Sequence, residues 1–374
     1  MDAARYAVVG AGLAGASTAW HLARRGHDVV LLERSRPAAH DGSSHGSARI
    51  LRYAYPDQLY VDLVVRARTL WSELEATSGR TLLTPTDALD VGELREPRLL
   101  AEVLARAGVP HELVPVAEAR ERWPGVAADT EVLRHDGAVL DAEQTVLAMV
   151  GLAQQHGAEV RTGFDVERVT REGSGFRLHS ADGQVLDAEH VVVSAGGWLP
   201  ALLRDLPLPS GFLGRIPPLT VRQEQAYHFP YREPALWPTL IHKSPAISVY
   251  SLPGGRDADF RGQKVAEYAA GPVIPSARDQ DGRIDPANRA RVTDYVREHL
   301  PGLEPEPYAE TTCLFTSTPT EDFVIDEVDG LTLLSPCSGH GAKFAPLLGG
   351  LAADVATGEG GIERFRLSRL PARA

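Results

Sequence analysis

Cysteine is scarce: the 374 residues include only Cys313 and Cys337. Two thiols cannot build a disulfide framework, and neither sits in a Cys/His cluster with metal-ligand spacing, so a reducing compartment and no metal are expected. Long apolar runs are also missing. No stretch approaches the roughly eighteen apolar residues of a membrane-crossing helix, and Tyr6–Val9 follows Arg5 without a small-residue cleavage pattern; both favour a cytoplasmic protein with no membrane partner. Basic charge is in deficit, with 38 Lys and Arg against 50 Asp and Glu and a net charge of −12. That balance argues against a broad basic face for nucleic acid or anionic lipid. Aromatics make up only 6%, but 43% of residues are apolar, enough for large cores in two or three domains. Small-molecule chemistry is the class left standing.

Glycine and proline are plentiful, at 35 and 27 residues. Tyr6–Val9 is a short apolar run, Gly10 to Gly15 a glycine-rich turn, and Ala16, Ala19, Trp20 and Ala23 recur at helical spacing before the second apolar run, Asp28 to Glu33. This predicts a parallel βαβ unit. In Gly10-x-Gly12-x-x-Gly15 the first glycine permits the turn, the second admits a pyrophosphate, and the third lets helix and strand pack closely. Phosphate would rest on the helix N-terminus at Leu13 and Ala14, and Glu33, with Arg34 beside it, ends the second strand where a ribose-binding acid is expected. A further βα unit does not follow directly. Pro37, a polar loop and Gly42-Ser43-Ser44-His45-Gly46 through Arg49 to Arg52 come next, which favours FAD over NAD.

Helices are predicted near Val61 to Thr77, Pro97 to Ala107, Asp141 to Gly157, Arg289 to Glu298 and Ala345 to Ala356. Strands are predicted at Val166 to Arg171, Phe176 to Ser180, His190 to Ser194, Phe323 to Ile325 and Leu331 to Leu334, with an Asp182-Gly183 turn between two of them. Pro207 to Pro218 reads as a crossing between domains. No motif marks Arg80 to Leu140.

The glycine turn with Glu33, the Gly42 to Arg52 stretch, Ala195-Gly196-Gly197-Trp198, Cys313-x-x-Thr316-x-Thr318-Pro319 with Phe323 to Asp326, and Ser338-Gly339-His340-Gly341-x-Lys343-Phe344 occur in order. Together they resemble the monomeric sarcosine oxidase and N-methyltryptophan oxidase group of FAD-dependent amine oxidases, within the D-amino acid oxidase-like family. The resemblance is thin over 86 to 140 and 214 to 260. It implies FAD held by Gly10, Gly12, Leu13, Ala14, Gly15, Glu33, Arg34, Ser43, Ser44, His45, Arg49, Val166, Ala195, Gly196, Trp198, Cys313, Gly339, His340, Gly341 and Lys343. Cys313 matches a thioether attachment point, while Cys337 is assigned to the core. Lys264 matches a lysine that promotes reaction with oxygen, and His45 and Arg49 would place positive charge against the flavin. Arg52 and Lys343 match a carboxylate-binding pair, with Phe315 and Tyr250 expected beside them at the substrate. Two positions depart from the group. Phe315 replaces a tyrosine, and Glu267 and Tyr268 stand near where a histidine is usual, which puts sarcosine itself in doubt.

The implied fold is α/β: a discontinuous Rossmann-like FAD domain from 1–85, 145–213 and 313–374, and an α+β substrate domain with a mixed, largely antiparallel sheet from 86–144 and 214–312. The implied reaction moves a hydride equivalent from the carbon next to a secondary amine to flavin N5, giving an imine, with O2 reoxidising the flavin to yield hydrogen peroxide in a monomeric enzyme. Three rivals stay open: an oxidase of a cyclic imino acid in a biosynthetic pathway, a D-amino acid or glycine oxidase with non-covalent FAD, and a catalytically silent flavin-binding module.

Overall fold

A computed structural model describes residues 3–367. The βαβ unit is as the apolar pattern requires. Strand Ala3–Val9 runs parallel to Val29–Glu33, and helix Leu13–Arg24 connects them. All five residues of Val29–Glu33 are buried, as expected for a strand covered on both faces of a parallel sheet. Glu159–Thr162, Val185–Val193 and Leu331–Ser335 extend the parallel set, and Val324–Val328 closes one edge antiparallel. The hairpin Val166–Glu172 with Gly175–Ser180 joins the outer half of Val185–Val193, completing eight strands.

Helices Leu13–Arg24, Gln58–Ser78, Ala142–Gln155 and Ala345–Ala356 cover one face of this sheet around buried Trp20, Trp71 and Met149. The opposite face packs on Phe164, Phe176 and Leu199. Gln58–Ser78 starts earlier than the apolar stripe suggests because the Asp57 side chain caps it, accepting from Leu59 N at 2.9 Å. Asp141 caps the next helix, accepting from Gln144 N at 2.9 Å; such caps contribute about 1 kcal/mol. Gln144 does not complete a reciprocal box, since its side chain accepts from Arg80 instead.

The second sheet has ten strands: Arg49–Leu51, Leu83–Val91, His111–Val114, Val132–Leu140, Thr220–Pro230, Thr239–Lys243, Ser248–Pro253, Gly262–Glu267, Val273–Ile274 and Ala309–Ser317. All pairings are antiparallel except Thr239–Lys243 beside Leu83–Val91, so the sheet is mixed and largely antiparallel. Its core gathers Trp123, Tyr227, Phe229, Trp237 and Tyr295. Arg49–Leu51 pairs with Val132–Leu140, and Ala309–Ser317 with Thr220–Pro230. The first lies within 1–85 and the second runs from 309 into 313–374, so the larger sheet takes strands from segments expected in the FAD domain. Ladder hydrogen bonds between residues far apart in sequence leave no local pattern. Segment 86–140 carries three of these strands, plus helices Pro97–Arg106 and Val116–Arg122.

Candidate active site

Between the two sheets runs a cavity of about 780 Å³ lined from both. One end is the glycine turn. Gly10 has φ +95, and a Cβ on Gly15 would lie 1.8 Å from the Gly10 carbonyl oxygen and 2.4 Å from Ser194 Oγ, so only glycine permits this contact of helix with strand. Gly12 precedes the helix without a side-chain cap, leaving the first-turn amides, Ala14 among them, facing the cavity mouth. Leu13 N donates to Ser44 Oγ at 3.0 Å, and Ser43 Oγ donates to the Leu314 carbonyl at 2.8 Å, tying the Gly42 to Arg52 stretch to the first helix and to the second sheet. Glu33 is buried and accepts from the amides of Ala11 and Ser35, each at 2.9 Å; burial raises its pKa. Arg34 pairs with Asp41 and lies 4.8 Å over the Trp198 ring. Val166, Ala195 and Gly196 line the same end.

Four buried polar atoms of cavity-lining or adjacent residues have no hydrogen-bond partner among the described residues: Arg34 Nε, His45 Nε2, Trp198 Nε1 and Thr316 Oγ1. Buried polar groups are ordinarily satisfied. A ligand bearing ribose, phosphate and a polar ring system fits this distribution, because unpaired donors and free helix amides occur along the length of the cavity rather than at one point.

Midway, Lys264 and Cys313 face the cavity from the two strands of the second sheet that flank Thr220–Pro230. Lys264 is 5% exposed, and burial, reinforced by Arg49, lowers its pKa from 10.5 to about 8. Arg49 donates to the carbonyls of Ser43 at 3.0 Å and His45 at 2.9 Å. Burial, then Arg49 and Lys264, push His45 down to about 3. Burial and the two nearby cations thus favour the neutral imidazole of His45, leaving Arg49 and Lys264 as the positive groups beside it. Burial raises the Cys313 thiol, opposed by Lys264 and Arg49.

The far end collects Arg52, Lys343, Phe315, Tyr250, Gly339, His340 and Gly341 as expected. Lys343 is 4% exposed; its Nζ donates to Tyr55 Oη at 2.9 Å and to the His340 carbonyl at 2.8 Å, and burial holds its pKa well below the usual lysine range. Arg52 donates to the Ala54 carbonyl and stands 4.5 Å over the Tyr55 ring. His340 is neutral, pushed to about 3 by burial, and its Nε2 meets the Glu321 carbonyl at 3.0 Å. Phe315 packs 5.9 Å from the Tyr268 ring, whose hydroxyl donates to Glu321 at 2.7 Å. Burial raises the Tyr250 phenol far above its usual range, so it stays protonated. Turn Gly341–Phe344 leads into helix Ala345–Ala356 and aims that helix's N-terminus at the cavity.

Sequence reasoning missed Tyr55, Lys243 and Glu321, all of which line this end. None sits in a glycine motif, and only Tyr55, three residues after Arg52, had a positional clue. Cys337 also lines the cavity rather than lying wholly in the core, because the turn after Leu331–Ser335 bends toward it. Of the two residues near the usual histidine position, Tyr268 faces the cavity. Glu267 turns away, accepting from Asn288 and Arg291.

A Rossmann-type sheet with a cavity sized for a dinucleotide and roofed by a second sheet defines a flavoprotein oxidoreductase. The FAD dependent oxidoreductase (DAO) family model matches residues 5–355, and the chain belongs to that family, with FAD as its cofactor. Monomeric sarcosine oxidase of Streptomyces avermitilis is 31% identical over 93% of this chain and 92% of its own length. Peroxisomal sarcosine oxidase of Homo sapiens is 29% identical over 97% and 95%. Among solved structures, NikD, an amino acid oxidase of nikkomycin biosynthesis, superposes with a TM-score of 0.86 at 24% identity, covering 98% of each chain.

Proposed function

We propose that this enzyme oxidises a secondary-amine amino acid, N-methylated or cyclic, at the carbon next to nitrogen. When bound, FAD supplies a two-electron acceptor for the hydride equivalent leaving that carbon. The chain's own residues bind, orient and enclose. Arg52 offers a guanidinium fork and Lys343 a point charge for the substrate carboxylate, and Tyr55 holds Lys343 in place. Tyr250, Phe315 and Tyr268 wall the site with aromatic surface that excludes water. The depressed pKa values of Lys264 and Lys343 mark a cavity where a substrate amine is driven toward its neutral base, the form whose lone pair supports hydride loss. The observation that carries the proposal is the joining, in one cavity, of the dinucleotide cradle at Gly10 to Gly15 with the cationic, aromatic end around Arg52 and Lys343.

Cys313 is the attachment point for FAD in this reading, since its thiol faces the cavity with Lys264 and Arg49 easing ionisation against burial. Lys264 serves the reaction with O2, which yields hydrogen peroxide, and the enzyme works as a cytoplasmic monomer. The cyclic-substrate form is favoured by Phe315, which lacks the hydroxyl of the tyrosine it replaces and leaves apolar ring surface 5.9 Å from the Tyr268 ring. A panel of N-methyl, cyclic and primary amino acids with peroxide detection tests the proposal. Turnover of secondary amines supports it, and turnover of primary amines alone removes it.

A further inference from the structure

We propose that the substrate carries a second carboxylate and that Lys243 receives it. This rests on the amine-oxidase reading above and names the substrate class within it. Lys243 ends strand Thr239–Lys243 and lines the same cavity as Arg52 and Lys343. Its ammonium has no hydrogen bond or ion pair among the described residues. Its charged group meets only the face of the Tyr268 ring, with Nζ 5.6 Å from the centroid. Lys243 is half-buried, and a partly desolvated ammonium with no counter-ion carries a cost that an anionic ligand in the cavity would offset.

The surroundings sharpen the point. Among the described residues Arg52 donates only to a backbone carbonyl, and Lys343 to a phenol and a carbonyl, so neither meets a carboxylate there. Glu321 is the acid at this end, and the Tyr268 hydroxyl already donates to it at 2.7 Å. A carboxylate bound beside Lys343 favours its protonated form, and one acid, Glu321, among three basic groups then leaves an excess that one substrate carboxylate does not match. A neutral amine bearing two carboxylates does. Burial, Arg95 and Arg52 press on the Lys243 ammonium more than Glu321 and Asp90 relieve it, and an incoming anion relieves it further.

Arg52 and Lys243 line the same cavity, and their charges are close enough to oppose one another. Lys243 is thus a specificity-determining residue: Arg52 and Lys343 take the carboxylate beside the amine, and Lys243 takes the distal one.

The test compares N-methyl-L-glutamate with N-methyl-L-glutamine, which match in shape and differ in charge. The holoenzyme is expected to prefer the acid at least about tenfold in kcat/KM, with the difference carried by KM. The preference falls to near unity in Lys243→Met and survives in Lys243→Arg. Calorimetric binding of glutarate against glutaramate gives a readout independent of turnover, with the same expected preference and the same loss in Lys243→Met. Equal kcat/KM for acid and amide, or a preference that persists in Lys243→Met, overturns the assignment of Lys243 while the amine-oxidase reading stands. Lys243-dependent glutarate binding without oxidation of any amine sustains the second-carboxylate site and removes the amine-oxidase reading instead.

Discussion

Replacing Lys264 with methionine keeps the length of the side chain and removes its charge. The wild-type ammonium is 5% exposed, and burial has brought its pKa from 10.5 to about 8. That difference corresponds to about 3 kcal/mol of lost solvation and Arg49 repulsion that Asp257 and Cys313 offset only in part. A negative charge developing on O2 as it accepts electrons restores the compensation at the moment it is needed, which is electrostatic stabilisation of charge that appears during reaction. About 3 kcal/mol is about 10²-fold in rate, so Lys264→Met is expected to slow flavin reoxidation by that order. Anaerobic reduction by substrate should change by only a few fold, because no negative charge develops on O2 in that step. In wild type the oxidative step should weaken as pH rises through about 8, where Lys264 deprotonates, and this inflection should vanish in the variant. The same depressed lysine makes the unfolded chain bind more protons than the folded one between about pH 8 and 10.5, so stability from this group rises with pH across that window and not in Lys264→Met. Stopped-flow measurement of both half-reactions decides the matter. Reoxidation within threefold of wild type, or equal losses in both steps, would refute the reasoning.

Gly15→Ala drives a Cβ to 1.8 Å from the Gly10 carbonyl oxygen, a backbone atom that cannot yield without moving strand from helix. Overpacking of this kind costs about 1–3 kcal/mol, so FAD content and melting temperature should both fall; an unchanged flavin-to-protein ratio contradicts the close contact. Arg52→Met removes the guanidinium fork and should raise KM for the amino acid by about tenfold to a hundredfold, read in steady-state kinetics. Asp90→Asn should destabilise the fold by about 3–5 kcal/mol in urea denaturation, since Asp90 is fully buried between Arg95 and His135, and its loss strands the Arg95 charge. Arg95 holds its Asp90 partner's pKa well below the usual carboxylate range, so this stability is present at neutral pH and is lost only as pH falls below that range.

What the chain reveals on its own is what is local. The first strand, turn, helix and strand, the Asp141 cap and the last helix lie within short windows, and period and capping chemistry mark them directly. The glycine turn, Glu33, Lys264, Cys313, Arg52 and Lys343 meet in one cavity as the motifs imply. What escaped depends on pairing at long range. Lys243 reaches the cavity because its strand lies parallel to Leu83–Val91, and Glu321 because the turn before Val324–Val328 folds over Tyr268. The protonation of His45 depends on burial and on Lys264 from a distant strand as well as on nearby Arg49, and neither burial nor Lys264 can be read from its own stretch of sequence. The unmarked stretch 86–140 proved to supply Asp90, Arg95 and His135, a buried cluster whose Arg95 donates to the same Ala54 carbonyl that holds Arg52.

The central claim is oxidation of a secondary-amine amino acid by bound FAD, and an anaerobic titration of the purified enzyme followed through its flavin absorbance tests it most directly. The account predicts bleaching by N-methyl or cyclic amino acids and little response to a secondary amine lacking a carboxylate. Flavin that stays oxidised with every secondary-amine amino acid, or that is bleached only by primary amines, would contradict it.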